Sequence, residues 1–536
     1  MTPSARKAPK TSFRQGDWTP KNLALLLGMT VAAFLVMGYH PGLEDDAFYL
    51  AAIKRNLNPA LFPHDADFFL IQFQATIFDK LIAYSVRLTH LPLAWVVLLW
   101  QLAGIFFILH ACWRISRRCF ADSAAQWAAV AVVAALLTLP VTGTGINLAD
   151  QYLHPRTLAT AAILAAVVDV LDSRLWRVGM LLVGAFLIHA IMASFGISLC
   201  AFLIWKQRAH DIHSSTQIEV SNARAFLSVF APFWVPVGIF IPLGWVFEPA
   251  SDAWRQAAAT RSFYFLSHWE WYEWLGIFAP WLLLYIFQKW QRAKASRDKA
   301  SRENANLLLL VSGLIGYYIL QTIAGLIVML VPGLIRLRPF EPMRYLHLIY
   351  LFFFLIAGAL LGRYVLERKI YRWLLLFVPL GAAMFYAQRE MYPSTEHLEC
   401  PDANSGNAWL QAFAWVRQNT PVDAVFAIGP RYMTQAGEDY HGFRALAERS
   451  VLADYDKDGG MAARVPSLAP RWVREVDAQN GWKNFQAADF QRLHKDFGVT
   501  WVILARSYGF GAKEPSSSTG LMCLYENRLV RVCRLY

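Results

Sequence analysis

Residues 39–49 read Tyr-His-Pro-Gly-Leu-Glu-Asp-Asp-Ala-Phe-Tyr, and they follow directly after the first long apolar run of the chain. Three adjacent carboxylates, Glu44, Asp45 and Asp46, therefore stand where the chain leaves its first hydrophobic segment. Acidic side chains at the edge of a membrane are energetically costly and tend to be kept where they serve a function. The stretch therefore predicts an active site on the outer face of a membrane protein.

A helix cap is the alternative interpretation of this acidic cluster. An Asp at the start of a helix accepts hydrogen bonds from free N–H groups and complements the helix dipole. One Asp suffices for a cap, whereas three adjacent carboxylates repel one another, which raises a pKa or attracts a cation. Either effect suits a general base or a metal-assisted site. We therefore interpret Asp45 and Asp46 as candidate catalytic residues, and we prefer Asp45.

The composition is that of a membrane protein. The chain has 536 residues, of which 56% are hydrophobic and only 16% are charged, whereas soluble domains average about 25% charged residues. The net charge of +12 does not indicate nucleic-acid binding, because most Lys and Arg residues lie in short loops between apolar runs. Basic residues in such loops set the membrane topology and contact anionic headgroups.

The apolar runs predict a protein that crosses the membrane many times, since a spanning helix needs about 17–25 apolar residues. The stretch 177–205 is too long for one span and short for two. If all basic loops face the cytoplasm, this stretch must enter and return, as a hairpin of two short helices. With the hairpin there are eleven crossings, with residues 1–21 as a cytoplasmic basic tail and the C-terminus outside. The other spans are predicted near residues 22–39, 92–112, 123–141, 157–171, 226–247, 274–289, 307–331, 344–362 and 373–388.

The predicted fold is a polytopic α-helical membrane domain, residues 22–390, followed by an extracytoplasmic α/β domain, residues 391–536. The membrane domain has a long first outer loop, residues 40–91, in which residues 49–57 have the pattern of an amphipathic helix in the headgroup plane. In the second domain helix-like and strand-like runs alternate. The last two strands form a predicted hairpin, across which Cys523 and Cys533 face each other. Whether these two cysteines form a disulfide is left open by the sequence.

Further outer loops contain unusual polar residues. Asp150, His154 and Arg156 lie in the second loop, either as a solvated turn or as a second wall of one cleft. The fourth loop contains Arg336 and Arg338 and ends at Arg344, and guanidinium groups bind phosphate in a bidentate manner. Snorkelling, or pairing with a neighbouring Glu, is the alternative for these arginines.

Two more segments leave alternatives open. The aromatic third loop, residues 263–274, fits an interfacial belt, with sugar stacking as the alternative. Residues 454–459 match the opening of an EF-hand loop, but Val465 stands where the bidentate Glu is required. We interpret this segment as a polar turn, with weak cation binding as the alternative.

This arrangement resembles the GT-C membrane glycosyltransferases. The likeness rests on the anchor helix, the long first outer loop that opens with Glu44-Asp45-Asp46, the second acidic loop with Asp150, and the C-terminal α/β domain. Among members of this superfamily, the chain is closest to uncharacterised bacterial ones. We recognise no obvious D-x-D motif in the first outer loop, a departure from the family pattern that puts metal dependence in doubt.

The resemblance implies a glycosyltransferase of the bacterial inner membrane that takes a sugar from a polyprenyl-phosphate donor. It matches Asp45 or Asp46 to the catalytic carboxylate, Asp150 to the second acidic motif, and Arg338 or Arg344 to the donor-phosphate site. It names no certain cofactor and no metal ligand, although a divalent cation would be compatible with it. The expected partners are membrane lipid, the lipid-linked sugar and an acceptor glycan, lipid or protein, but no nucleic acid. A transporter or lipid-binding scaffold is the alternative.

Overall fold

The computed structural model describes residues 19–74, 76–213, 248–295, 301–506 and 521–536. The span predicted at 226–247 lies outside these residues. The helices that precede the first long gap are α1 Pro20–Met37, α2 Asp46–Leu57, α3 Asp67–Phe73, α4 Phe78–Thr89, α5 Leu93–Cys119, α6 Ser123–Ala135, α7 Pro155–Leu171, α8 Leu175–Ile188 and α9 Ala190–His213. They are followed by α10 Asp252–Ala259, α11 Trp271–Ala295, α12 Arg302–Leu330, α13 Leu346–Leu361 and α14 Ile370–Met391.

The apolar helices pack into a bundle. Six helical segments of the described chain are long and apolar enough to cross a membrane, which makes this a multi-pass membrane protein. Helices α5, α6, α7, α9, α12 and α13 supply most of the bundle core. Helix α14, by contrast, buries none of the residues in its most apolar window. An apolar helix with so much free surface is suited to contact with lipid.

Between residues 177 and 205, where the sequence predicts a hairpin of two short helices, the chain forms the helices α8 and α9, which run out and back. The chain breaks between α8 and α9 at His189, whose backbone is extended. Near the end of α9, Gln207 Nε2 donates a hydrogen bond to Ser173 Oγ at 3.0 Å, just before the start of α8. The far end of α9 therefore returns to the beginning of α8.

The basic loops collect at one end of the bundle. There Arg118 forms an ion pair with Asp172 at 2.6 Å, and its carbonyl accepts a hydrogen bond from Asn306 at 3.1 Å. Lys294 Nζ lies 3.4 Å from the Tyr364 hydroxyl. Loops that are far apart in the sequence thus share one face, as the positive-inside rule requires of loops on one side of a membrane.

The first outer loop forms a layer over the opposite end of the bundle. Helix α2 is where the sequence predicts an amphipathic helix, but its residues from Asp46 to Ile53 are all buried. They share one core with α3, α4, α10 and helices of the C-terminal segment. The prediction that this helix lies in the headgroup plane is therefore wrong, because protein rather than lipid covers its apolar face.

The C-terminal α/β domain is present as predicted. Its elements are α15 Ala408–Asn419, β3 Val425–Ala427, α16 Phe443–Ala447, β4 Ser450–Val451, α17 Lys457–Arg464, α18 Ala469–Ala478, α19 Ala487–Phe497, β5 Trp501–Ala505, β6 Leu521–Glu526 and β7 Val530–Leu535, numbered after the short strands β1 Pro140–Val141 and β2 Ile146–Asn147. The sheet has the order β4-β3-β5-β7-β6. Strand β3 is parallel to β4 and β5, whereas β7 is antiparallel to β5 and β6. A disulfide joins Cys523 to Cys533 across the terminal hairpin.

Candidate functional site

A cavity of about 240 Å³ lies at the outer-loop end of the bundle, beneath α17. Its walls come from the loop after α1, the β1–β2 region, the segment before α11, the segment before α13 and helix α17. Five cationic side chains and four carboxylates line it. These charged residues are Glu44, Asp45, Asp150, Arg156, Arg261, Glu341, Arg344, Lys457 and Arg464.

The first wall is the acidic cluster, whose members have separate environments. Asp45 lines the cavity, with its side chain 31% exposed, and it makes no capping hydrogen bond to α2. Asp46 is buried outside the cavity lining, and its Oδ2 accepts a hydrogen bond from the Gly42 N–H at 2.7 Å. Burial raises the pKa of Asp46 to about 7. Asp45 is therefore the carboxylate of this pair that a ligand can reach.

The charge state of Asp45 is set by its cationic neighbours. Burial opposes its ionisation, but the Lys457 ammonium, with contributions from His154 and Arg261, outweighs burial and holds the pKa of Asp45 well below its usual range. Lys457 Nζ lies 2.9 Å from Asp45 Oδ1 and also bonds to Glu44. The carboxylate is therefore ionised at neutral pH.

The second wall contains Asp150 and Arg156, as the sequence predicts. Arg156 Nη2 donates to both carboxylate oxygens of Asp150, at 2.6 and 2.5 Å. Within the described chain, Arg156 Nε and Nη1 are buried with no hydrogen-bond partner. Because an unsatisfied buried donor is costly, these N–H groups are suited to an anionic ligand.

His154 lies behind Asp45 and outside the cavity lining. Its Nδ1 accepts a hydrogen bond from the Arg156 N–H at 2.9 Å, and burial together with the Arg156 charge lowers its pKa. The neutral ring therefore carries its proton on Nε2, which is 3.9 Å from Asp45 Oδ2. The Tyr49 ring meets the imidazole edge-on at 4.8 Å between centroids and fixes its orientation.

The short hairpin of β1 and β2 brings the second loop close to the aromatic third loop. Gly143 and Gly145 both have positive φ, 60° and 63°. A Cβ on Gly143 would meet the Trp269 ring at 2.2 Å, and one on Gly145 would meet Phe263 at 2.7 Å. The turn therefore needs glycine at both positions for backbone conformation and for space.

The fourth loop supplies Arg344 to the cavity, while its other two candidate arginines lie elsewhere. Arg344 Nη1 contacts Glu341 Oε2 at 2.5 Å, and Glu341 Oε1 also accepts a hydrogen bond from Arg464 at 2.9 Å. Arg338 lines a small adjacent cavity that shares Glu341 and Arg344 with the large one. Arg336 donates to the carbonyl oxygens of residues 248 and 249 at 2.9 and 2.7 Å, outside both cavities.

Three cationic residues of the site were not predicted from the sequence. Lys457 and Arg464 lie on α17, where positions 457, 460, 461 and 464 face the cavity at helical spacing. Arg261 follows α10 and packs over Gly460. Of the segment predicted as a polar turn, residues 454–456 precede α17 and residues 457–459 form its first turn. Asp454 Oδ1 accepts a hydrogen bond from the Lys457 N–H at 2.5 Å. The sequence signal that could have found Lys457 and Arg464 is their separation of seven residues, two helical turns, which places both side chains on one face of a helix.

The donor set of the cavity does not fit a divalent cation. Asp45 is paired with Lys457, Asp150 with Arg156, and Glu341 with Arg344 and Arg464. Among the described residues, no group of three His, Cys, Asp or Glu side chains is placed to hold a metal ion.

The first loop does contain a D-x-D triplet, Asp65-Ala66-Asp67, which was not recognised from the sequence. Asp65 is buried in an ion pair with Arg444 at 2.5 Å, and the Asp67 side chain is 73% exposed. Neither lines the two cavities described above. The triplet is thus part of the packing between the first loop and the C-terminal domain.

Comparison with known proteins gives a short family match and distant structural likenesses. A family described as "Domain of unknown function (DUF6798)" matches residues 407–466, a segment that contains α17. No curated protein matches the chain. The oligosaccharyltransferase of Archaeoglobus fulgidus in the apo form is similar with a TM-score of 0.46 and 12% identity, over 90% of this chain and 69% of that one. The archaeal oligosaccharyltransferase from the same organism, in complex with an inhibitory peptide and a dolichol-phosphate, gives 0.45 and 11% over the same shares.

Proposed function

We propose that this protein is a GT-C-type glycosyltransferase that moves a sugar from a polyprenyl-phosphate donor to an acceptor on the outer face of the membrane. The observation that supports this proposal is the cavity itself. It combines an accessible, ionised carboxylate, that of Asp45, with a cluster of arginines at the outer-loop end of an apolar helix bundle. A lipid-linked donor needs such a place, where its tail can stay in the bilayer while its phosphate meets the protein.

The arginines provide the phosphate-binding side. Within the described residues, Arg156, Arg344 and Arg464 each have a buried Nε without a hydrogen-bond partner. As the bond between the anomeric carbon and the phosphate oxygen breaks, negative charge develops on the leaving phosphate. Preorganised N–H donors stabilise such charge without reorganisation. Arg344 is the candidate carried over from the sequence, whereas Arg338 could contact only the neighbouring part of the donor.

Asp45 provides the acceptor side. The acceptor hydroxyl attacks the anomeric carbon, and its proton passes to Asp45 as the new C–O bond forms. Because the pKa of Asp45 lies below its usual range, the carboxylate accepts a hydrogen bond in the ground state. It takes the proton only when bond formation has made the hydroxyl strongly acidic. His154 Nε2 lies 3.9 Å from Asp45 Oδ2, so its N–H dipole favours the ionised carboxylate without a direct hydrogen bond.

The proposal is tested with Asp45→Asn and its matched neighbour Asp46→Asn. Cells that lack the native chain would carry either variant, and mass spectrometry would compare their envelope glycans and polyprenyl-phosphate sugars. We expect Asp45→Asn to lower transfer by roughly 10²–10⁴-fold, the range for loss of a general base. Asp46→Asn should preserve transfer, because an amide oxygen can still accept the Gly42 N–H.

The result that contradicts the proposal is equally specific. If the folded Asp45→Asn protein left every envelope glycan at its wild-type level, Asp45 would not be the catalytic carboxylate. If cells without the chain showed no change in glycans or lipid-linked sugars, the transferase assignment itself would fail.

A further inference from the structure

The Lys457 ammonium lies between two carboxylates of the acidic cluster. It bonds to Glu44 Oε2 and lies 2.9 Å from Asp45 Oδ1. The Lys457 side chain is only 6% exposed, against 34% for Glu44 and 31% for Asp45. The cation is therefore inside the protein, while both carboxylates reach the cavity surface.

The position between the Glu44 and Asp45 carboxylates favours a positive charge. Glu44 and Asp45 are adjacent on one turn and repel each other when both are ionised. Burial opposes the charge of Lys457, but Asp45 and Glu44 outweigh burial and raise the pKa of Lys457. The ammonium thus stays protonated and neutralises part of the charge that would otherwise attract an ion from solution.

The backbone that carries Lys457 is fixed. Asp454 Oδ1 accepts hydrogen bonds from the N–H groups of Lys457 and Asp458, at 2.5 and 3.2 Å. The Asp458 carboxylate in turn accepts two hydrogen bonds from Arg444, each at 2.9 Å. Lys457 is therefore held at the start of a helix whose own position is anchored, which favours a permanent cation over one that comes and goes.

We propose that the ammonium of Lys457 occupies the cation position between Glu44 and Asp45, so that the site works with a built-in monovalent cation in place of a divalent metal. Lys457 is then a positioning residue, supplied by the C-terminal α/β domain, that holds the Asp45 carboxylate. Its role in transfer rests on the proposed function, but occupation of the cation position does not.

Metal binding by the purified full-length protein tests the occupied position directly. The probe is Mn²⁺, titrated in detergent micelles and followed by electron paramagnetic resonance of the free ion. Wild type should show no saturable binding that depends on Asp45. Lys457→Ala frees the two carboxylates and should acquire one Mn²⁺ site with a Kd on the order of 10⁻⁴–10⁻³ M, the range of weak oxygen-ligand sites. The double variant Lys457→Ala/Asp45→Asn should lose that site again.

Two controls keep the test decisive. Lys495→Ala removes an exposed Lys of α19 in the same domain and should bind Mn²⁺ no better than wild type. Lys457→Gln, which keeps a polar side chain one atom shorter than that of Lys and removes the charge, replaces Lys457→Ala if the alanine variant does not fold. Size-exclusion profile and melting temperature establish folding for each variant.

The outcomes separate this proposal from the proposed function. If wild type binds one Mn²⁺ that Asp45→Asn abolishes, a metal holds the position and the proposal is overturned. It is also overturned if folded Lys457→Ala and Lys457→Gln both fail to gain a site. In cells, Lys457→Arg should keep more transfer than Lys457→Gln, because the positive charge positions Asp45. Failure of transfer for all variants, including wild type, would count against the function alone, since Mn²⁺ binding does not depend on it.

Discussion

The buried imidazole of His441 has a hydrogen-bond acceptor at each ring nitrogen. Its Nδ1 lies 3.1 Å from the Glu438 carbonyl oxygen, and its Nε2 lies 3.0 Å from Glu399 Oε1. Neither the Glu438 carbonyl nor an ionised Glu399 carboxylate can donate a hydrogen bond. The neighbouring His441 and His40 lower the pKa of Glu399 in spite of burial, so Glu399 is ionised. His441 must therefore carry both protons. Burial opposes this charge, but Glu399 outweighs burial and raises the pKa of His441.

The same carboxylate connects three distant parts of the chain. Glu399 Oε1 also accepts a hydrogen bond from His40 Nδ1 at 2.8 Å. Isolated backbone β-bridges also pair Tyr39 with Leu398 and Leu43 with His441. The stretch that carries the acidic cluster is thus fixed between the linker after α14 and the C-terminal domain.

Glu399→Gln should destabilise the protein and change its pH dependence. Removing one partner leaves a buried imidazolium without compensation, which costs roughly 3–5 kcal/mol. In wild type the folded pKa of His441 is raised, so its contribution is fully present below about pH 6.5, the ordinary pKa of His, and is lost as the pH rises through the folded pKa. Melting temperatures measured from pH 5.5 to 9 should fall with rising pH in wild type and fall less in Glu399→Gln.

Glu390→Gln, an exposed Glu at the end of α14, is the matched control and should follow the wild-type curve. A Glu399→Gln protein with an unchanged melting temperature at pH 6 would mean that the imidazolium is not paired as described.

On helix α17, the absence of a side chain at Gly460 makes room for the Arg261 guanidinium at the cavity. Gly460 faces Arg261 so closely that a Cβ there would lie 2.6 Å from the guanidinium nitrogens Nε and Nη2. The guanidinium is the far end of a flexible side chain, so it can move away. A larger residue at position 460 therefore displaces Arg261 from the cavity rather than breaking the helix.

Gly460→Ala should weaken donor binding without loss of stability. Alanine favours the helix by roughly 0.5–1 kcal/mol over glycine. Arg261 lines the same cavity as the arginines of the proposed phosphate-binding side. A hydrogen bond to a charged group contributes about 1.5–3 kcal/mol, so displacing a guanidinium that binds the donor phosphate should weaken donor binding by about tenfold or more. Binding of a polyprenyl phosphate to the protein in nanodiscs, measured by native mass spectrometry, gives the comparison.

Gly179→Ala is the control for this variant, since Gly179 also lies within a helix, and among the described residues a Cβ at that position would have no neighbouring atom within 4 Å. Equal donor affinity for Gly460→Ala and wild type would mean that Arg261 does not bind the donor phosphate, although it lines the cavity.

The whole molecule has two chemically different ends. Basic loops gather at one end with ion pairs such as Arg118–Asp172, and the cavity with its outer loops lies at the other. The predicted topology assigns the first end to the cytoplasm. The disulfide between Cys523 and Cys533 is consistent with this assignment, because such bonds persist in oxidising compartments.

A reporter fusion tests this topology. Alkaline phosphatase fused after Tyr536 should be active, because the enzyme folds only where disulfides form. The same reporter fused after residue 300, in a predicted cytoplasmic basic loop, should be inactive. Activity of the fusion after residue 300 but not of the fusion after Tyr536 would mean that the predicted topology is inverted. The cavity would then face the cytoplasm, and the outer-face assignment would be wrong.

Local features of the sequence were sufficient for much of the fold. Apolar runs predicted the spanning helices, and the spacing of basic loops predicted the pair α8 and α9. Alternating patterns predicted the strands and the terminal hairpin of the α/β domain. The environment of α2 was not predictable, since an amphipathic pattern does not say whether lipid or protein covers the apolar face.

The candidate site was predictable only in part. Asp45, Asp150, Arg156 and Arg344 line one cavity, as the grouping of polar residues in outer loops suggested. Asp46, His154, Arg336 and Arg338 lie outside its lining. For Asp46 the reason is local, since one residue of displacement along a turn changes the direction of a side chain, whereas Arg336 is bound to the carbonyls of residues 248 and 249 and Arg338 lines the adjacent cavity. Their proposed roles in binding or catalysis stay predictions.

The sequence by itself determined the helical membrane bundle, the end of the bundle at which the acidic cluster lies, and the α/β domain, because hydrophobicity and periodicity act over neighbouring residues. Only the tertiary structure decided which charges meet. Lys457 is more than 400 residues from Glu44 and Asp45 along the chain, and its ammonium reaches them because α17 packs onto the first outer loop. The partner of a buried charge is chosen by packing and desolvation, which depend on the complete fold and not on the residues beside it.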